Sequence, residues 1–167
     1  MLNITMKKIN VLISTFFGYG YLKIPGTAAS FVTTLFLYVA YEYLEYTNLK
    51  FSIIFFTLLF CYSFYAVKDA ESEFKNKDPR QIVIDEVLGQ AMPLILVLHL
   101  SQDNQLSLPI EVYYLLSFIF FRFFDILKPF PVSYFDKNFK NYFGIIMDDI
   151  MAGFCSMILI YLISLKF

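Results

Sequence analysis

Five long apolar runs separated by polar stretches organise this chain. The first extends from about Ala28 to Tyr43, the second from Phe51 to Val67 and the third from Val87 to Leu100. The fourth covers Ile110 to Phe124 and the fifth Ile150 to Leu165. All are nearly uncharged and rich in aromatic residues, and flanking Tyr and Phe can extend them into a membrane interface. Each is short against the ~20 apolar residues that usually cross a bilayer, so a soluble helical core or half-embedded helices are competing readings. The lack of charge favours spanning helices. The expected fold is an all-α, polytopic membrane helical bundle with short spanning helices, folded as one domain over residues 1–167.

Ahead of the first run, Leu2 to Phe17 carries Lys7 and Lys8 and aligns Ile9, Leu12, Ile13, Phe16 and Phe17 in one helical stripe. That pattern predicts a surface-lying or partly buried helix. A basic start, an apolar stretch and Ala28-Ala29 also suggest a signal peptide, but Gly18, Gly20, Pro25 and Gly26 interrupt the stretch and argue against one. Glu71 to Arg80 is polar, and Asp78-Pro79 predicts a helix stop, because the residue before proline is pushed out of the helical region. Ser101 to Pro109 reads as a turn on the outer side.

Composition supports the membrane reading. Hydrophobic residues make up 59% and charged residues 16%, against about 45–50% and about 25% in soluble domains, and mean hydropathy is +0.63. A net charge of −1 gives no basic field for nucleic acid. Cys61 and Cys155 fall inside apolar runs and read as two buried packing thiols, neither a disulfide framework nor a metal cage.

Basic residues then suggest an orientation. With a cytoplasmic N-terminus and five crossings, Lys7, Lys8, Lys23, Lys68, Lys75, Lys77, Arg80, Arg122, Lys128, Lys137 and Lys140 lie inside, leaving Lys50 and Lys166 outside. Eleven of the 13 basic residues are thus cytoplasmic, the expected bias. This orientation, chosen from Lys and Arg alone, also gathers Asp85, Glu86, Asp125, Asp136, Asp148 and Asp149 on the cytoplasmic side.

Charge at the edge of hydrocarbon is costly and tends to be kept for function. Asp85-Glu86 precedes the third run; neighbouring carboxylates on a helix point about 100° apart and approach one metal only from a helix edge. Acids at a helix start also complement the macrodipole, which is the plainer reading. Arg122, Asp125 and Lys128 are spaced by three, with Phe120, Phe121, Phe123 and Phe124 around them. Arg offers a planar fork to phosphate, Lys a point charge and Asp a hard oxygen for a divalent cation; a helical ion pair is the alternative. Pro129 should end that helix and Pro131 keep the chain extended. Asp148-Asp149 opens the last run as either dipole complements or metal ligands, and Asp136 is a further candidate. Pro25 to Ser30 places small residues at a helix start, which suits an anion cradle and equally suits simple capping. His99, the one histidine, falls toward the outer side, which excludes a His-rich zinc site. What remains is divalent-metal hydrolysis, with carboxylates holding Mg²⁺ and water attacking phosphorus.

These segments resemble the phosphatidylglycerophosphatase A family. The resemblance rests on Pro25-Gly26-Thr27 with Ser30, on Ile84-Asp85-Glu86-Val87 with Gly89, and on Phe121-Arg122-Phe123-Phe124-Asp125-Ile126-Leu127-Lys128-Pro129 with Pro131. Asp136, Gly144, Asp148-Asp149 and Ala152-Gly153 complete it. Ala29 stands where the family pattern has Gly, and Asn141-Tyr142 where it has Gly-Gly. The resemblance implies a Mg²⁺-dependent phosphatase of phospholipid biosynthesis in the bacterial cytoplasmic membrane, converting phosphatidylglycerophosphate to phosphatidylglycerol and inorganic phosphate. Mg²⁺ would lie among Asp85, Glu86, Asp125, Asp148 and Asp149, with Asp136 as a ligand or its support. Arg122 and Lys128 would clamp headgroup phosphates, assisted by Gly26, Thr27 and Ser30. The rivals are a CDP-alcohol phosphotransferase, whose Asp-Gly-x-x-Ala-Arg signature is missing, and a small transporter or scaffold, which would need ionisable residues deep within the runs.

Overall fold

In the computed structural model, which describes residues 2–44, 48–74 and 79–166, every regular element is a helix. α1 spans Leu2–Ser14, α2 Pro25–Tyr38, α3 Leu49–Glu71, α4 Ile84–Gln102, α5 Ile110–Leu127, α6 Val132–Asn138 and α7 Tyr142–Lys166. A 3-10 turn at Tyr19–Tyr21 follows α1, and a π-helical turn at Val39–Tyr43 prolongs α2. The five apolar runs fall in α2 with its π turn, α3, α4, α5 and α7. Among the described residues, α3, α4 and α7 are long and apolar enough to cross a membrane. α2, with 14 residues before its π turn, and α5, whose 18 residues include Glu111, Arg122 and Asp125, are not among those three.

α4 is the central helix, packed against α2, α3, α5 and α7. One apolar cluster around it holds Val67, Ala70, Val83, Val87 and Ile146; a second, toward its C-terminal end, holds Leu94, Leu98, Tyr113, Tyr114 and Ile160. The outer flanks are apolar as well. Phe31 and Phe36 on α2, Phe51, Ile54 and Leu58 on α3, Ile119 and Phe123 on α5, and Phe154 and Ile158 on α7 are all exposed. Apolar flanks of this extent mark a surface made for hydrocarbon rather than water. The molecule is a membrane helical bundle.

α4 and α7 cross closely because the crossing is glycine. A Cβ on Gly89 would lie 2.5 Å from the Asp149 carbonyl oxygen and 2.5 Å from the Phe121 ring. Without a hydrophobic force between helices in lipid, such small residues let backbones approach and pack.

Several local expectations are corrected. After Pro131 the chain does not stay extended: Pro131 has φ −91 and ψ −3, and α6 begins at Val132. Proline lacks the N–H that a first helical turn leaves unused, so it starts a helix as readily as it stops one. Pro129, by contrast, follows the end of α5 as expected. Cys61 is exposed rather than buried, on the outward face of α3 with Leu58 and Tyr65, because a run facing lipid need not face the core. The stripe of α1 divides: Ile13 and Phe16 pack on the core while Ile9, Leu12 and Phe17 are exposed. The buried face of α1 carries Asn10, whose Nδ2 donates to Asp69 Oδ2 at 2.7 Å and whose Oδ1 accepts from Tyr62 Oη at 2.5 Å. α3 ends at Glu71; Lys75, Lys77 and Asp78 lie outside the described residues.

Candidate active site

The charged ends of α4, α5, α6 and α7 meet around a cleft of about 170 Å³. Asp85, Glu86, Asp125, Lys128, Asp136, Asp148 and Asp149 all line it, so the six predicted acids do converge. His99 does not join them. It lies fourteen residues beyond Asp85 on α4, about 21 Å along the helix, next to Asp103 at 3.6 Å.

The six acids form two groups. Asp85 and Glu86 occupy the first turn of α4, and Asp149 comes from α7 across the glycine crossing. One oxygen from each of these three lies within 4.8 Å of the others. Asp85 and Asp149 are buried, and the buried Asp85 Oδ1 and Glu86 Oε2 have no hydrogen-bond partner. None of the three forms an ion pair with Lys or Arg among the described residues, whose site pairs are Arg122–Asp125, Lys128–Asp136, Lys128–Asp148 and Lys140–Asp136. Converging buried carboxylates with orphaned oxygens are costly without a cation. Mg²⁺ takes hard carboxylate oxygens and completes its coordination with water and substrate phosphate, so the donor set fits that ion.

Asp125, Asp136 and Asp148 already have cationic partners. Arg122 Nη1 stands 2.5 Å from Asp125 Oδ2 and donates to Ser30 Oγ at 3.4 Å, while Ser30 Oγ donates to Gly26 O at 2.9 Å. Arg122 Nε is buried without a partner. Arg122, Gly26, Thr27 and Ser30 are absent from the cleft lining; Arg122 pairs with Asp125, and Gly26 lies against Glu86. The start of α2 fits there because position 26 is glycine: a Cβ would come 2.2 Å from Glu86 Oε1 and 3.3 Å from Arg122 Nη1.

Lys128 caps α5 in the left-handed conformation, φ 44 and ψ 53, which costs a non-glycine residue about 1–2 kcal/mol. Backbone strain of this kind gathers at functional sites. Its Nζ lies 2.8 Å from Asp136 Oδ1 and 2.5 Å from Asp148 Oδ2. Burial opposes the ammonium charge, but the hydrogen bonds to Asp136 and Asp148 outweigh it and raise the Lys128 pKa above its ordinary value. The hydrogen bond from Lys128 in turn holds the Asp136 carboxyl below its usual value.

The lining adds Arg80 and Lys140, which the sequence shows only as loop charge, and Asn141, which it shows only as a departure from the family's Gly-Gly pair. Arg80 precedes the Ile82-to-Glu86 segment and Lys140-Asn141 precedes α7, and only the fold brings the two loops together. Asn141 Oδ1 accepts from the Phe143 and Gly144 amides at 3.1 and 3.3 Å, capping the helix that bears Asp148 and Asp149. The whole arrangement can hold a divalent cation against three carboxylates and an anion beside Lys128.

Known proteins with a similar sequence carry the names of lipid phosphatases. The family model described as Phosphatidylglycerophosphatase A matches residues 12–164. The chain is 32% identical to a Phosphatidylglycerophosphatase A of Haemophilus influenzae over 168 residues, covering 97% of this chain and 96% of that protein. It is 36% identical over 152 residues, 90% of each chain, to a Bacteroides thetaiotaomicron protein named, provisionally, a phosphatidylinositol-3-phosphatase. A Phosphatidylglycerophosphatase A of Escherichia coli is 28% identical over 156 residues, 92% of this chain and 82% of that protein. No solved structure matches.

Proposed function

This chain belongs to the phosphatidylglycerophosphatase A family of phosphatases, and we propose that it is a Mg²⁺-dependent hydrolase of phosphatidylglycerophosphate in phospholipid biosynthesis. The observation that carries the reading is the convergence of Asp85, Glu86 and Asp149, with two orphaned buried oxygens, in the cleft that also receives Lys128. Mg²⁺ held by those three carboxylates would supply Lewis-acid polarisation of the phosphoryl oxygens. Lys128 places fixed positive charge beside the same site, where it favours a phosphomonoester and the charge that builds on its oxygens during transfer. Arg122 fixes Asp125 through its ion pair and is itself held by Ser30, while Gly26 at the start of α2 packs against Glu86, so these residues position the acids from outside the cleft lining. In the reaction, water oxygen bonds to phosphorus, the ester bond to the terminal glycerol oxygen breaks, and that oxygen takes up a proton. Phosphatidylglycerol and inorganic phosphate result.

The bias of Lys and Arg toward the site end supports a cytoplasmic active site in a bacterial inner membrane. A second reading, hydrolysis of phosphatidylinositol 3-phosphate, is favoured by the name of the Bacteroides relative. Both substrates carry a phosphomonoester and a phosphodiester on carbons separated by one hydroxylated carbon. The deciding experiment supplies each lipid in mixed micelles to purified protein and measures released phosphate. Phosphatidylglycerophosphate should yield equal amounts of phosphate and phosphatidylglycerol, stop with EDTA and resume with added Mg²⁺. No release from either lipid would remove the proposal.

A further inference from the structure

We propose that Arg80 and Lys140 form a second anion subsite at the mouth of the cleft, which takes the phosphodiester of the headgroup while the monoester lies at Lys128. The inference rests on the lipid monoester reading above and adds a basis for substrate choice.

Arg80 and Lys140 line the same cleft as the carboxylate triad yet come from separate segments, one ahead of α4 and one between α6 and α7. Both are exposed. Arg80 Nη2 donates to Leu22 O at 3.4 Å and Lys23 O at 3.1 Å, which anchors the guanidinium through one nitrogen and leaves Nη1 and Nε for an anion. Lys140 Nζ lies 3.7 Å from Asp136 Oδ2, a loose and solvent-exposed pairing that yields readily to a phosphate.

Arg122 is paired with Asp125, and Lys128, beside which the monoester lies, already shares its charge with Asp136 and Asp148. Even with a divalent cation bound, the six carboxylates of the site outnumber its inner positive charges. A headgroup bearing two phosphates would therefore enter a negative field. Arg80 and Lys140 supply the missing positive charge where the lipid enters, and a planar Arg fork with a Lys point charge suits a phosphodiester. The site would then measure the spacing between diester and monoester and prefer two-phosphate headgroups over phosphatidic acid, whose single phosphate leaves the outer pair unused.

The test compares phosphatidylglycerophosphate with phosphatidic acid of the same acyl chains, in mixed micelles with Mg²⁺, for wild type and Arg80→Ala/Lys140→Ala. Loss of charge-assisted contacts should lower the ratio of kcat/KM between the two lipids by about tenfold, through KM for the two-phosphate lipid. An unchanged ratio overturns the proposal, whether or not total activity drops. Because Arg80 also anchors the Leu22 and Lys23 carbonyls, the single Lys140→Ala variant, at an exposed side chain, is the second arm; its ratio should fall by about threefold, and a wild-type ratio there also overturns it. Wild type inactive on both lipids would instead count against the lipid monoester reading itself.

Discussion

Gly89 on α4 and Gly153 on α7 meet backbone to backbone, so that a Cβ on Gly153 would stand 2.4 Å from the Gly89 carbonyl oxygen. Asp85 lies one turn before Gly89, and Asp149 one turn before Gly153. The glycine contact therefore sets the separation of two carboxylates from different helices. In Gly153→Ala the obstruction is backbone, which cannot swing aside, and overpacking of this kind costs about 1–3 kcal/mol. The helices must part, and a displacement near 1 Å can cost about a hundredfold in rate. Thermal unfolding in detergent and phosphate release should both fall; wild-type values in both would show that the crossing does not position the acids.

Gly26→Ala offers the opposite balance. The new methyl would meet Glu86 Oε1 and Arg122 Nη1, the far ends of flexible side chains. These can move, so the unfolding midpoint should stay close to wild type. Glu86, however, moves away from Asp85 and Asp149, and turnover should drop by about tenfold or more. A variant that unfolds early but keeps its rate would contradict this account of the start of α2.

Removing Asp149 tests the cation site with a readout beside activity. Mg²⁺ at about a hundred times its dissociation constant should stabilise the wild type by about 2.7 kcal/mol, seen as a raised unfolding midpoint. In Asp149→Ala that Mg²⁺-dependent rise should vanish, while the metal-free protein keeps its helicity because crowded carboxylates repel one another. Phosphate release should be abolished. An undiminished Mg²⁺ shift in the variant would place the ion elsewhere.

Asn141 occupies a position where the family pattern has glycine, and it caps α7 through the Phe143 and Gly144 amides. Asn141→Ala should cost about 1 kcal/mol, whereas Asn141→Gly should cost only about a few tenths, since glycine is itself tolerated at helix starts. Unfolding midpoints separate the two. Equal losses would mean that the side-chain cap does not matter.

Legibility from sequence followed the physics of each signal. The apolar runs located α3, α4, α5 and α7 because long uncharged stretches have few other uses. The convergence of Asp85, Glu86, Asp125, Asp136, Asp148 and Asp149 was legible because loop charges placed these acids at one end. Their division into an ion-free triad and three cation-held acids was not, since it depends on the glycine crossing and on the left-handed turn at Lys128. α6 was missed because a proline pair reads equally as a break and as a helix start. Arg80 and Lys140 looked like ordinary loop charge, for nothing local in sequence shows that separate loops share one cleft mouth.

The exposed Phe, Ile and Leu flanks of α2, α3, α5 and α7 also decide how such an enzyme encounters a lipid. Reactant and dephosphorylated lipid both stay dissolved in the sheet that surrounds the bundle, and only orthophosphate escapes into water. Turnover should therefore track the mole fraction of substrate in that sheet rather than its bulk molarity. Diluting micelles with inert detergent at constant total lipid should slow the reaction, although no inhibitor has been added.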